Sequence, residues 1–245
     1  MNMRIPEGSR EHRENSKDYE LYISVTRHGP KAGQHSEELS ESGKQDVADY
    51  FYEAYEGVPI DSRNRKVVSS KVKRVLQTTR IAENSLEQYN EAEPVAVEIA
   101  EGISELGVDD YVRSLPEEQR ENWFQDWYKS EEGHKATANF IGWLLEQISN
   151  ARQAGGKLEI DTYSHGPVMA AFLVRLEDQL GLQFIARGKD DPLRLNRNKL
   201  LGEGGDFSVL SNFNIQVSSK NPELIRIIFH GKTTEVPLDE LEKIR

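Results

Sequence analysis

Four side chains in this sequence have the types and settings to act on an anion: Arg27 and His28 in YISVTRHGPK, Arg74 in SSKVKRVLQTT, and His165 in DTYSHGPV. Arginine offers a planar fork of N–H donors that meets a phosphate or carboxylate two bonds at a time. Histidine offers a lone pair near neutral pH and can act as nucleophile or base. Each histidine is followed by a glycine, Gly29 and Gly166, which lets the backbone turn and come close to a ligand. Two arginines and two histidines facing one spot would make a compact anion site. Phosphoryl transfer would use such a site, because it needs an in-line nucleophile with cations around the equatorial oxygens. Arg27 and Arg74 would disfavour the imidazolium form of His28 and keep its lone pair available. His165 would add a hydrogen bond to the transferring group. A carboxyl group is still required, to protonate the leaving oxygen and then to activate water.

Those residues meet only if particular elements carry them. Leu21, Ile23 and Val25 alternate with Tyr22, Ser24 and Thr26, which predicts a strand ending near Arg27. Val47, Phe51, Ala54 and Tyr55 recur at helical spacing, which predicts an amphipathic helix over 42–56 that stops at Gly57. KVVSS, residues 66–70, reads as a second strand. A helix follows it through Val75, Thr79, Ala82 and Leu86, with Ser69 or Ser70 as cap and Arg74 in or near the first turn. Phe140, Ile141, Leu144, Leu145 and Ile148 mark another helix, LEIDTYSHG a strand ending on His165, and Val168, Phe172, Leu176 and Leu180 a helix reaching Gly181. Runs 206–217 and 223–229 read as paired strands around SSKNPE. Alternating strands and helices predict an α/β fold whose mainly parallel sheet is covered on both faces. In open sheets of that kind ligands bind outside the carboxyl ends of the strands, where Arg27, His28, Arg74 and His165 would all fall. Glu159 and Asp161 fit a fully buried central strand poorly, so the place of their strand in the sheet stays open. A helical insertion or lid is expected at about 107–134, with Trp123, Trp127 and Tyr128 either lining a substrate mouth or packing the insertion.

The chain has 245 residues, 36% of them hydrophobic, enough for one substantial core. Its net charge of −11 disfavours non-specific attraction to nucleic acid or anionic lipid, so neither is an expected partner. Any anion must then be held by a local cluster of cations. The absence of cysteine excludes disulfides, thiolate catalysis and cysteine-ligated metal sites. The first twenty residues lack the apolar stretch of a signal peptide, and no later run is long and apolar enough to span a bilayer. The expectation is a cytoplasmic protein with a polar, flexible tail over 1–18 and one domain over 19–245. The basic clusters SRNRK, 62–66, and RLNRNK, 194–199, read as solvated turns. A metal site built from His28, His165 and Asp161 lacks ligand spacing such as HExxH. There is no GxSxG, P-loop or dinucleotide fingerprint.

TRHGPKAG with LSESGKQ downstream, then SSKVKRVLQTTRIA, then YSHGPVMAAFL, resemble in that order the histidine phosphatase, or phosphoglycerate mutase-like, superfamily. The motifs cover residues 19–90 and 157–175. RHG alone is a weak tripeptide, whereas RHG, S-x-x-x-x-R-x-x-Q-T and a strand ending in SHG form a specific combination. The resemblance implies a three-layer α/β/α fold, a phosphohistidine intermediate on His28, phosphate binding by Arg27, Arg74 and His165, and no metal or other cofactor. His165 is followed by Gly166 and Pro167, not by the Asp or Glu of members that resemble acid phosphatases and phytases. That points to the branch whose acid lies after the second arginine. In EGISELGVDDY, Glu105 is the first choice, and Glu101 and Asp109 are the alternatives. Gln34 falls where relatives place a polar phosphate contact, and Lys31, Gly29 and Gly166 complete the expected substrate-binding set. The implied activity is hydrolysis of a small phosphorylated substrate, a phosphoprotein being left open. A phosphoglycerate-type mutase, or a non-enzymatic scaffold that binds phospho-ligands, would use the same pocket.

Overall fold

The structure is a computed structural model that describes residues 17–33, 36–56, 64–90, 95–104, 107–181, 209–229 and 231–245. Strand β1 (Tyr19–Arg27) leads to helix α1 (Glu41–Tyr55), β2 (Arg65–Ser69) to α2 (Lys73–Asn90), and β3 (Val97–Ile99) to a short 3-10 turn, Glu101–Ile103. Helices α3 (Val108–Ser114), α4 (Trp123–Lys129) and α5 (Glu131–Ala154) follow, then β4 (Gly156–Ser164), α6 (Gly166–Leu180) and the strands β5 (Asn212–Ser218), β6 (Leu224–Phe229) and β7 (Lys232–Pro237). A helix over Leu238–Lys243 follows β7. Among the described residues no helix is long and apolar enough to cross a membrane.

The sheet runs in the order β3-β2-β4-β1-β5-β6-β7. It is mixed: β3, β2, β4 and β1 pair in parallel, and β5, β6 and β7 extend it through antiparallel pairings. Connection length explains the division, since β1 to β4 are joined by helical crossovers while β5, β6 and β7 follow one another through tight turns. β7 and the helix after it went unread in the sequence, because KTTEVP buries only Val236 and carries no apolar alternation.

Two apolar clusters lie on opposite faces of the sheet. Leu21, Ile23 and Val25 of β1 pack with Phe140 and Leu144 of α5 and Phe172 of α6. Val67 of β2 and Tyr163 of β4 pack with Val47 and Phe51 of α1 and with Val75 and Ala82 of α2. The result is three layers, α/β/α. Each fully buried aliphatic or aromatic side chain contributes about 1.5–3 kcal/mol, so the strand ends rest on a well-anchored platform. Within the expected insertion, Phe124, Trp127 and Tyr128 of α4 join the α5 and α6 cluster, so Trp127 and Tyr128 pack the segment and do not line a mouth.

β4 is a central strand despite Glu159 and Asp161. Arg65, the first residue of β2, resolves the conflict. Its Nε lies 2.6 Å from Asp161 Oδ2, while Nη1 and Nη2 hold both oxygens of Glu83 on α2 at 2.8 and 2.7 Å. Arg65 is only 5% exposed, which corrects the reading of SRNRK as a solvated turn at that residue. RLNRNK lies outside the described residues.

Candidate active site

The strand register brings the two histidines together. β1 and β4 pair in parallel with Arg27 opposite Ser164, so His28 and His165 both stand one step beyond the carboxyl ends of adjacent strands. The His28 N–H donates to Ser164 O at 3.2 Å and ties the two ends. Their rings lie 5.5 Å apart between centroids, at 70° to each other. Arg74, in the first turn of α2, reaches between them. Its Nε donates to His28 Nε2 at 3.2 Å, and its Nη2 lies 3.4 Å from His165 Nδ1. His28, Arg74 and His165 are all at most 2% exposed.

Partners of fixed role assign the protons. His28 Nδ1 is 2.7 Å from Gly29 O, and a carbonyl only accepts, so Nδ1 carries the hydrogen and Nε2 carries the lone pair. Burial, then the neighbouring His165, Arg27 and Arg74, hold His28 well below the ordinary imidazole range, outweighing the Gly29 carbonyl. A neutral imidazole with Nε2 free of hydrogen is thus fixed among cations. His165 is turned by a second contact, Nε2 to Ser70 Oγ at 2.9 Å.

The glycines have a packing role beside the expected one. A Cβ on Gly29 would come within 2.4 Å of Val47 Cγ2, so this glycine lets α1 close onto the histidine loop. At Gly166 the added atom would sit 3.0 Å from Arg27 Nε and 3.2 Å from its Cδ and Cζ. The side chain of Arg27 therefore crosses the start of α6, where the helix presents its positive end and has no acidic residue in its first turn.

Further motif residues brace the loops. The Gly29 N–H donates to Thr78 Oγ1 at 3.1 Å, and Thr78 Oγ1 donates back to Arg74 O at 3.0 Å. Gln77 Oε1 accepts from the Leu39 N–H at 2.8 Å and holds the strand of loop that follows Lys31. The Q-T pair in the S-x-x-x-x-R-x-x-Q-T pattern was the signal for both. Of the two serines expected as cap, Ser69 or Ser70, Ser70 has His165 as its nearer partner, and its contact with Val72 N is long, 3.4 Å.

At the rim, Asp109 of α3 lies between two cations, 3.5 Å from Arg74 Nη1 and 3.4 Å from Lys31 Nζ. A cleft of about 210 Å³ opens there, lined by Arg74, Asp109, Val72, Glu37 and Arg113 among others. Glu101 is turned outward and pairs with Lys71 at 2.9 Å, its side chain 75% exposed. Glu105 and Gln34 lie outside the described residues. The turn that leads to residue 105 is fastened beside the pocket, because Ser164 Oγ donates to Ile103 O at 2.7 Å. A larger cavity, about 650 Å³ between α1 and β5, is lined by Asp46, Asp49 and Glu53 and is unsuited to an anion. Among the described residues no group of three or more His, Asp or Glu side chains is placed to hold a metal ion.

Comparison with known proteins bears on the fold and the family. The fold resembles that of Bacillus stearothermophilus YhfR, with a TM-score of 0.52 at 15% identity over 87% of this chain and 98% of that one. It also resembles a phosphoglycerate mutase from Bacillus anthracis str. Sterne, with a TM-score of 0.50 at 13% identity over 93% of this chain and 98% of the other. Identities this low speak for the fold alone. No curated protein sequence matches the chain significantly. The sequence model of the histidine phosphatase superfamily (branch 1) matches residues 23–212, most of the chain and all four of the clustered cationic and imidazole residues; this protein belongs to that superfamily.

Proposed function

We propose that the protein is a phosphomonoester hydrolase that works through a phosphohistidine on His28 and acts on a small phosphorylated substrate. The observation that carries this reading is the pair of contacts on the His28 ring, Nδ1–H to Gly29 O and Nε2 toward Arg74. It supports Nε2 as the nucleophile. In the first step Nε2 attacks phosphorus, the P–N bond forms, and the bond from phosphorus to the ester oxygen breaks. The leaving oxygen takes a proton from a carboxyl group. In the second step that carboxylate removes a proton from water, the water oxygen attacks phosphorus, and the P–N bond breaks to restore His28. The Gly29 carbonyl accepts the Nδ1 hydrogen throughout and stabilises the positive charge of the phosphorylated ring.

Arg27 and Arg74 grip the equatorial oxygens in this scheme, and His165 adds a further donor. Lys31 neutralises charge at the rim. Together they supply the positive charge that the transferring group needs, so the proposed reaction is metal-independent. Glu105 remains the first choice for the acid, since the turn ending at Ile103 and Ser104 is tied to the residue before His165. Asp109 is the alternative with a described contact to Arg74, whereas Glu101 faces solvent.

The test is trapping of the intermediate. Mixing with an aryl phosphate and quenching in base should leave acid-labile, base-stable phosphate on the wild-type protein and none on His28→Ala. Turnover retained in His28→Ala would refute the reading. Phosphate binding without turnover of any phosphoester in a broad panel would favour the scaffold, and isomerisation of phosphoglycerate would favour the mutase.

A further inference from the structure

We infer that Ser70 is a positioning residue of this site: its hydroxyl holds Nε2 of His165 and so turns the other ring nitrogen, Nδ1, toward the anion. The inference rests on the reading of the pocket as a phosphate site. Ser70 follows β2 at its carboxyl end, and its N–H donates to Tyr163 O at 3.2 Å, which sets it level with the end of β4. Ser69 fastens the peptide from the other side, with Ser69 Oγ donating to Ser70 O at 3.0 Å and lying 2.9 Å from Thr79 Oγ1. Ser69, Ser70 and His165 are each 0% exposed. The 2.9 Å contact between Ser70 Oγ and His165 Nε2 therefore joins two groups that water does not reach.

The chemistry of the hydroxyl matters as much as its place. A guanidinium only donates, so the Arg74 Nη2 contact at 3.4 Å requires Nδ1 of His165 to accept, and Nε2–H then donates to Ser70. An unprotonated phosphate oxygen only accepts, so such an oxygen at the same position requires a hydrogen on Nδ1. Nε2 must then either keep its hydrogen, as in the imidazolium, or accept one. By rotating its own hydrogen, Ser70 can serve as acceptor in the first case and donor in the second. A carboxylate or carbonyl there would tolerate only Nε2–H, and a methyl group would hold neither form. Ser70 thus keeps the His165 ring in one orientation while the proton on the pocket side changes.

The experiment uses the full chain with ¹⁵N-labelled histidine, titrated with inorganic phosphate, in the wild type, Ser70→Ala and Ser70→Cys. In the wild type, phosphate should move the His165 Nδ1 resonance toward that of a protonated nitrogen. In Ser70→Ala the affinity for phosphate should fall about fivefold to tenfold, the size of one hydrogen bond. The His165 response should broaden or vanish, while His28 keeps its tautomer. Ser70→Cys, a weaker partner of similar volume, should fall between the two and guards against a packing effect in the alanine variant. Wild-type affinity and an unchanged His165 response in both variants overturn the inference and leave the phosphate site standing. No phosphate binding by the wild type overturns the site itself, and the role of Ser70 with it.

Discussion

Two buried polar clusters share the same elements and behave as opposites. β2 carries Arg65 at its start and leads to Ser70 at its end, β4 carries Asp161 and leads to His165, and α2 carries Arg74 in its first turn and Glu83 farther along. Away from the carboxyl ends of the strands, Arg65 is held by two carboxylates at 2.6 to 2.8 Å. Beyond the strand ends, Arg27 and Arg74 lie beside His28, and Asp109 at the rim is in contact with Arg74 and Lys31. Among the described residues the first cluster closes on itself, two carboxylates on one guanidinium, while the second sets imidazoles beside its arginines and is the one proposed to open to an anion. Burial alone does not separate them, since Arg65 and Arg74 are 5% and 1% exposed.

The largest expected effect breaks the open cluster chemically. His28→Ala should reduce turnover of an aryl phosphate by about a thousandfold or more, since loss of a nucleophile removes the covalent route. Its circular dichroism and unfolding midpoint should stay near those of the wild type. Next comes the closed cluster. Arg65→Met leaves Glu83 and Asp161 facing each other without their cation, and should cost about 3–5 kcal/mol of stability in denaturant unfolding. Turnover per folded molecule should persist. Combining it with Glu83→Leu and Asp161→Asn should recover most of that loss, because the cost lies in uncompensated charge and not in absent attraction. If Arg65→Met instead abolished activity at full stability, the division between the clusters would fail.

Arg74→Lys gives a smaller, sharper test. Lysine keeps the charge but loses the fork that reaches His28 Nε2, His165 Nδ1 and Asp109 at once. A fall in kcat/KM of about tenfold to a hundredfold is expected, with stability changed by less than Arg65→Met changes it.

What the sequence disclosed follows the same division. Arg27, His28, Arg74 and His165 were legible because strand ends, histidine–glycine pairs and motif order all pointed to one edge of the sheet. Arg65 was not, since a basic turn and a buried guanidinium share the same letters until Glu83 on α2 and Asp161 on β4 are seen beside it. The contact of Ser70 with His165 was not legible, because a serine before a helix is more often a cap and this partner lies 95 residues away in the chain. β1 could be read from alternation and β2 from its run KVVSS, while β7, polar and at the edge, gave no such signal. At glycines 29 and 166 the structure adds a reason the sequence could not show: a neighbouring side chain, Val47 or Arg27, occupies the space a Cβ would need.

The smallest expected effect is a difference in sign on acidification. His28 has a folded pKa below its ordinary 6.5, mainly through burial, so the unfolded chain takes up a proton first as pH falls through that value. That site therefore loses stability between 6.5 and its lower folded pKa. Glu83 and Asp161 are raised, also mainly through burial and against the pull of Arg65, so the folded protein takes up protons first. Their contribution favours folding at low pH and is lost as pH rises through the raised folded values. His28→Ala should accordingly lose less stability than the wild type as pH falls below 6.5, and Glu83→Gln should lose more as pH falls through the raised carboxyl value toward 4.5, each read from denaturant midpoints. The acid limb of kcat/KM should fall below 6.5 once the ionisation of the phosphate ester is subtracted, because the nucleophile stays neutral past that point. Equal pH slopes in the two variants would mean that the clusters do not differ electrostatically, whatever their geometry.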